Sequence, residues 1–120
     1  MFCKIHCFKL FLLGVFVSCL SLKVMANVSE IEHLISYVKN TDCLYERNGT
    51  KHKGYEAVEH IRKKYEYYED DIESTEDFIR LSAKESTMSG KAYKVHCDGK
   101  EIVTSESWLL KELNRIRAQK

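Results

Sequence analysis

Apolar residues recur at helical spacing in four stretches of the chain, and they alternate with polar residues in two shorter stretches. The first helical stretch places four apolar residues on one face: Ile31, Leu34, Ile35 and Val38. Ser29 precedes this run, with Glu32 three residues later, which is the capping-box pattern of a helix start. The pattern therefore predicts an amphipathic helix over residues 29–40.

Three more helices are predicted from the same periodicity. A second runs from Tyr55 to about Tyr68, with the apolar stripe Val58, Ile61, Tyr65 and Tyr68. Ser74 precedes a third, which carries Phe78, Ile79 and Leu81. Ser105 is the predicted cap of a fourth, with the apolar side Trp108, Leu109, Leu113 and Ile116. The acidic run 69–71 is predicted to be a solvated turn, and the polar segment 85–91 a loop.

Period-two alternation predicts two β-hairpins. Before the first turn, one side of a strand carries Cys43, Tyr45 and Arg47. The turn is Asn48-Gly49, whose residues tolerate the positive φ of a two-residue hairpin loop. In the second hairpin one face carries Tyr93, Val95 and Cys97, Asp98-Gly99 is the turn, and Ile102-Val103 returns. With no proline, no repeat and no long linker, the chain is predicted to form one α+β domain, about four helices packed on two short antiparallel hairpins.

The first 26 residues have the layout of a secretory signal peptide. Lys4 and Lys9 precede the apolar run 10–20, and Val24-Met25-Ala26 offers a cleavage site after Ala26. The apolar run is short for a membrane span. We therefore predict a signal peptide over 1–26, an exported, periplasmic domain over 27–120, and no transmembrane segment after processing. An alternative is a lipid anchor on Cys19, which follows the small residue Ser18.

Removal of the leader changes the charge and the cysteine count. Loss of Lys4, Lys9 and Lys23 turns 19 basic and 18 acidic residues into 16 and 18, a formal charge of −2. This balance gives no nucleic-acid footprint. Three of the five cysteines also leave, so the exported domain keeps Cys43 and Cys97. We predict one disulfide between them, with two separate buried free cysteines as the alternative.

Several motifs of the exported part resemble a family of small exported proteobacterial proteins that is known as a domain of unknown function. The stretches concerned are CLYERNGTKHKGYEAVEHIRKKY, SGKAYKVHCDG and WLLKELNRIR. The matching positions are Arg47, Asn48, Gly49, Glu56, Ala57, His60, Tyr65, Phe78, Ile79, Ser89, Gly90, Lys91, Tyr93, Trp108 and Leu109. Ala92 departs from the proline of many relatives. The resemblance implies an envelope location and supplies no reaction.

The residues give little support to catalysis, nucleotide binding or metal binding. Ser89-Gly90 lacks the glycine that a nucleophile elbow needs at position 87, and no local spacing joins the histidines to it. Gly90-Lys91 lacks the leading glycine and the following Ser or Thr of a phosphate loop. The histidines lack the short spacings of a zinc site: His33, His52, His60 and His96. We predict no cofactor and no metal.

The remaining hypothesis is a recognition module formed by the two hairpins. Its candidate binding residues are Arg47, Asn48, Gly49, Ser89, Gly90, Lys91 and Tyr93. A guanidinium fork, small hydrogen-bonding groups and a lysine beside an aromatic ring suit an anionic or carboxylate-bearing envelope component, such as a peptide, a lipid head group or a protein. A structural alternative is that Arg47 stacks on Tyr45 or Tyr93 and bridges Glu56, while the other residues only shape turns.

Two further functions stay open at this point. One is an envelope hydrolase that uses Ser89 or His60. The other is an accessory subunit of an envelope complex, in which the edge formed by Tyr65, Tyr67 and Tyr68 meets a partner.

Overall fold

The computed structural model describes residues 24–120 and consists of four helices and one antiparallel sheet. The predicted leader up to residue 23 and the alternative anchor at Cys19 lie outside the described residues. Helix α1 covers residues 24–39. The other elements are β1 (Leu44–Arg47), β2 (Thr50–His52), α2 (Gly54–Tyr68), α3 (Thr75–Phe78), β3 (Lys94–His96), β4 (Val103–Thr104) and α4 (Ser105–Ala118). The predicted α+β class is confirmed.

The two hairpins join into a single four-stranded sheet with the order β2-β1-β3-β4. β1 pairs with both β2 and β3, and Tyr45 lies opposite His52 on one side and Val95 on the other. Asn48 and Gly49 form the predicted two-residue turn, with φ of 50° and 80°. Both angles lie in the left-handed region that this turn type requires. The adjacency of the hairpins follows from the β1–β3 pairing.

The second hairpin is looser than the sequence predicts. The amide of Lys100 donates to the carbonyl of Cys97 at 3.1 Å, and Gly99 has a φ of 72°, so the predicted turn is present. The returning strand, however, is Val103–Thr104 and excludes Ile102, which is 57% exposed. The strands β3 and β4 pair from Val95 opposite Val103 onward, because β3 ends at His96 and does not include Cys97.

The predicted disulfide joins Cys43 and Cys97 across the β1–β3 pair. Leu44 lies opposite His96 in this register, so the two cysteines are the next directly opposed pair. Their Cα atoms are 4.4 Å apart, close to the spacing of a pair that exchanges no backbone hydrogen bonds. The alternative of two free cysteines is therefore wrong.

The hydrophobic core lies between the helices and one face of the sheet. That face contributes Tyr45, Tyr93 and Val95, each at most 2% exposed. The helices contribute Ile31, Leu34, Ile35, Val38, Ala57, Val58, Ile61, Phe78, Ile79, Ala83, Leu109 and Leu113. The opposite face of the sheet carries Glu46 and His96, whose side chains are 2.9 Å apart. No helix within residues 24–120 combines the length and the apolar character needed to cross a bilayer.

Two predicted helix caps are wrong and one is confirmed. α1 is already helical at residue 24, so Ser29 lies inside the helix, and Glu32 pairs instead with Arg62 at 2.9 Å. The cap of α4 is Thr104, whose hydroxyl accepts from the amide of Ser107 at 3.2 Å, one residue before the predicted Ser105. Ser74 caps α3 by accepting from Asp77.

Helix α3 continues as a π-helix over Ile79–Ala83. Helix α2 begins in close contact with the end of α1. A Cβ atom at Gly54 would lie 2.1 Å from the carbonyl oxygen of Val38. Only glycine permits this approach. The contact fixes the start of α2 against the end of α1, beside the sheet.

Two buried glutamates connect α1 with α4. Glu30 on α1 accepts from the guanidinium of Arg117 at 2.9 and 3.0 Å and from the hydroxyl of Thr75 at 2.7 Å. Glu112 on α4 accepts from Arg115 at 2.6 and 2.8 Å and lies 2.8 Å from His33. The arginine hydrogen bonds lower the pKa of both glutamates to about 2, against the resistance of burial.

Candidate functional site

A small cleft with apolar and polar side chains lies between β1, β2 and helix α2. Its lining consists of Tyr45, Arg47, His52, Glu56, Ala57, His60, Ile61 and Tyr93. The cavity volume is about 20 Å³. That is enough for a single water molecule or for the tip of a ligand such as one carboxylate group, and not for a whole ligand.

Arg47 is the most distinctive residue of the cleft. It is the last residue of β1 and lies opposite Thr50 on β2. On its other side, one more step of the β1–β3 register places it opposite Tyr93. The residue is partly buried. Within residues 24–120 its side chain makes no hydrogen bond and no ion pair. The structural alternative, in which Arg47 bridges Glu56, is therefore not what the structure shows.

Tyr93 and His60 form the inner wall of the cleft. The Tyr93 hydroxyl lies 2.9 Å from Nε2 of His60, and the two rings meet edge to face. Nζ of Lys64 lies 5.2 Å from the centre of the Tyr93 ring and donates to the carbonyl of Glu85 at 2.7 Å. The cation over this ring is thus Lys64, which leaves the guanidinium of Arg47 available.

Burial and positive charge together keep His60 neutral. Burial lowers its pKa to about 4, and the charges of Arg47 and Lys64 act in the same direction. Burial also lowers the pKa of Lys64 and raises that of Tyr93, while Arg47 opposes the rise at Tyr93. At neutral pH the imidazole and the phenol are uncharged hydrogen-bonding groups beside a cationic guanidinium.

The acidic residue of the cleft already has a structural role. Glu56 accepts from the backbone amide of Lys53 at 3.0 Å, which caps the start of α2. Its second oxygen lies 4.0 Å from Nδ1 of His52. Since Glu56 faces the helix start and His52, it forms no ion pair with Arg47, and the guanidinium stays available to a ligand.

The residues predicted for recognition fall into three groups. Arg47 and Tyr93 line the cleft. Asn48 and Ser89 bind each other, since the Ser89 hydroxyl donates to Oδ1 of Asn48 at 2.6 Å and connects the two loop tips. The third group lies at the exposed tips of these loops and outside the lining of the cleft: Gly49, Gly90 and Lys91.

The bond between Asn48 and Ser89 is part of a small loop network. The side-chain amide of Asn48 also donates to the hydroxyl of Ser86 at 3.3 Å. The backbone amide of Gly90 donates to the backbone carbonyl of Ser86 at 2.9 Å. These groups hold the hairpin tip against the 86–91 loop. The turn of the first hairpin thus lies beside the loop that leads into the second hairpin, while a role of these residues in binding stays a prediction.

The candidate binding residues predicted from the sequence include none from helix α2. Glu56, His60 and Lys64 are four residues apart, so they form a polar stripe beside the apolar residues Ala57 and Ile61. The spacing was visible in the sequence. The direction in which this stripe faces was not visible, because the packing of the folded domain turns it toward Arg47 and Tyr93.

Within residues 24–120 no three histidine, cysteine or acidic side chains group as ligands for a metal ion.

Residues 25–117 match the family of unknown function DUF5329, and the chain belongs to that family. No curated protein and no solved structure gives a significant match. Membership confirms the expectation of a domain of unknown function. The proteobacterial origin and the signature motifs stay predictions.

Proposed function

We propose that this member of the family of unknown function DUF5329 is an exported binding module whose cleft receives a carboxylate of an envelope component. The observation that carries the proposal is the partly buried Arg47, which has no partner within residues 24–120. A buried or half-buried charge without a partner is costly, so its presence favours a site completed by a ligand.

The neighbours of Arg47 suit this ligand. A guanidinium binds a carboxylate through two parallel hydrogen bonds. Tyr93 and neutral His60 add uncharged hydrogen-bonding groups at the wall, and the cleft admits little more than the carboxylate itself. The rest of the ligand would lie over the joined loop tips, where Gly49 and Gly90 leave open space and Lys91 adds a positive charge.

Export is part of the same proposal. A disulfide between Cys43 and Cys97 is typical of proteins in oxidising compartments, which supports the predicted periplasmic location. The hydrolase hypothesis gains no support from Ser89, because its hydroxyl donates to Asn48 and lies outside the cleft lining.

The test uses a matched pair of small ligands, acetyl-alanyl-alanine as the free acid and as its C-terminal amide. We expect the free acid to raise the melting temperature of the exported domain and to shift the NMR signals of His60, and the amide to do neither. The double variant Arg47→Met, Lys91→Ala should keep its fold and lose the response. Equal binding of acid and amide, or full binding by the double variant, would contradict the proposal.

A further inference from the structure

A second and much larger groove lies at the other edge of the sheet. It runs between helix α4, the loop after β3 and helix α1, with a volume of about 660 Å³. It is lined by Tyr37, Cys97, Lys100, Glu101, Val103 and five residues of α4 between Ser107 and Arg115, among them Trp108 and Lys111. The cleft described above borders β2, whereas this groove borders β4, so the two sites share no lining residue.

The floor of the groove is aromatic and only partly covered. Tyr37 and Trp108 stack with ring centres 4.5 Å apart and planes inclined by 29°. Val103, a core-facing residue of β4, is 38% exposed beside them. Partly exposed aromatic and aliphatic side chains in a concave surface form the apolar part of many binding sites.

The rim of the groove carries positive charge without a paired acid in the described part of the chain. Within residues 24–120, Lys100 and Lys111 form no ion pair, whereas Arg115 is paired with Glu112. Glu101 is the one acid of the lining without such a pair in this part of the chain. The free charges of the lining therefore favour an acidic partner.

The shape of the groove favours an extended chain. β4 is the last strand in the sheet order, so the edge of β4 that faces away from β3 pairs with no strand within residues 24–120. An extended peptide can pair with such an edge, here over the two residues of β4, and place alternate side chains toward the floor. The groove follows α4 from Ser107 to Arg115, nine residues that span about 12 Å of helix, which matches three or four residues of an extended chain.

We propose that this groove binds an acidic peptide segment in an extended conformation. Its alternate apolar side chains lie on Tyr37 and Trp108, and its carboxylates pair with Lys100 and Lys111. The occupant is a partner of this chemistry and not a small metabolite, because the open strand edge and the length along α4 both suit a peptide backbone.

Trp108 gives a direct measurement, since it is the only tryptophan of the chain. The probe is acetyl-EVEVEVE-amide, and its control is acetyl-KVKVKVK-amide. We expect saturable quenching or a wavelength shift of Trp108 fluorescence with the acidic peptide alone. Exposed ion pairs are screened by salt, so the Kd should rise steadily between 20 and about 300 mM sodium chloride.

Charge reversal identifies the lysines. The double variant Lys100→Glu, Lys111→Glu should raise the Kd at least about tenfold, because two attractions become repulsions. The control variant Lys51→Glu, Lys63→Glu makes the same change at exposed positions outside the groove and should bind as the wild type does. Equal weakening in both variants would show a general charge effect and overturn the proposal.

Two other occupants give different results. Vesicles of phosphatidylglycerol that shift Trp108 fluorescence through the two lysines, without any response to the peptide, would assign the groove to a membrane surface. A rise of molecular mass with concentration in sedimentation experiments, abolished by the lysine reversals, would assign it to a second copy of the chain. Either result would replace the acidic peptide as the occupant.

Discussion

The α1–α4 contact and the Arg47 cleft differ in how they hold a charged side chain. Glu30 is 7% exposed and is bound by Arg117 and Thr75, with the ammonium of Lys120 at 3.8 Å. Arg47, which is only partly buried, has no such partner within residues 24–120.

The difference separates scaffold from site. Removing the partner of a paired buried charge leaves an unpaired charge that destabilises the folded state. Removing a charge that has no partner does not destabilise the folded state in this way. A residue of the first kind should therefore affect stability, and one of the second kind should affect binding. The predictions below test this contrast, beginning with the change that affects both regions.

The disulfide supports the whole comparison, because it fixes the β1–β3 pair that holds Arg47 beside Tyr93. Replacing Cys43 and Cys97 by alanine should lower the free energy of unfolding by about 4 kcal/mol, the chain-entropy value for a closed loop of this length. Urea unfolding of the oxidised domain and of the double variant measures the difference. A loss below about 1 kcal/mol would show that the sheet register is kept without the disulfide.

The two arginines should differ most clearly in stability. Arg117→Met leaves the carboxylate of Glu30 buried with Thr75 and a distant lysine, and should cost about 3 kcal/mol. The matched change Arg47→Met breaks no side-chain hydrogen bond or ion pair within residues 24–120, and should alter stability by less than about 1 kcal/mol. Similar losses in both variants would place Arg47 in the scaffold and contradict the proposed function.

The two regions should also lose stability in different pH ranges. Folding lowers the pKa of His60 from 6.5 to about 4, so the unfolded chain binds its proton first and stability falls as pH decreases from 6.5 to 4. Folding lowers the pKa of Glu30 and Glu112 from 4.5 to about 2, so their contribution is complete above pH 4.5 and is lost as pH falls toward 2. Each carboxyl should contribute on the order of 2 kcal/mol after solvent screening.

Unfolding measured from pH 7.5 to 2.5 should therefore show two successive losses. His60→Gln should flatten the upper one, and Arg117→Met should reduce the lower one. A single loss confined to pH values below 4.5 would show that His60 titrates normally in the folded domain, and that the cleft is more open than its geometry indicates.

The local patterns in the sequence predict most of the fold. Periodicity places the helices, Asn48-Gly49 sets the first turn, and alternation puts Cys43 and Cys97 on one face. The errors occur where a boundary depends on distant contacts. Thr104 and not Ser105 caps α4, because the Ser105 side chain is held inside by the hydroxyl of Tyr45.

The candidate site is predicted less completely, for the same physical reason. Arg47 and Tyr93 are found from the hairpins, since strand alternation determines which face they share. His60 and Glu56 lie on a helix whose orientation depends on Gly54 packing against Val38, and a local pattern does not determine that contact. The polar stripe of α2 therefore joins the site only in three dimensions.

The smallest expected effect probes the cleft most directly, and it concerns the pKa of His60. Arg47 lowers this pKa through its charge, second to burial, so Arg47→Met should raise the value from about 4 without unfolding the domain. NMR titration of the His60 ring protons measures the change, with Lys51→Met, outside the cleft lining, as a control that should leave it unaltered. A bound carboxylate should act in the same direction, because it neutralises the same guanidinium. If Arg47→Met leaves the His60 titration unchanged, the guanidinium lies too far from the cleft to bind a ligand there.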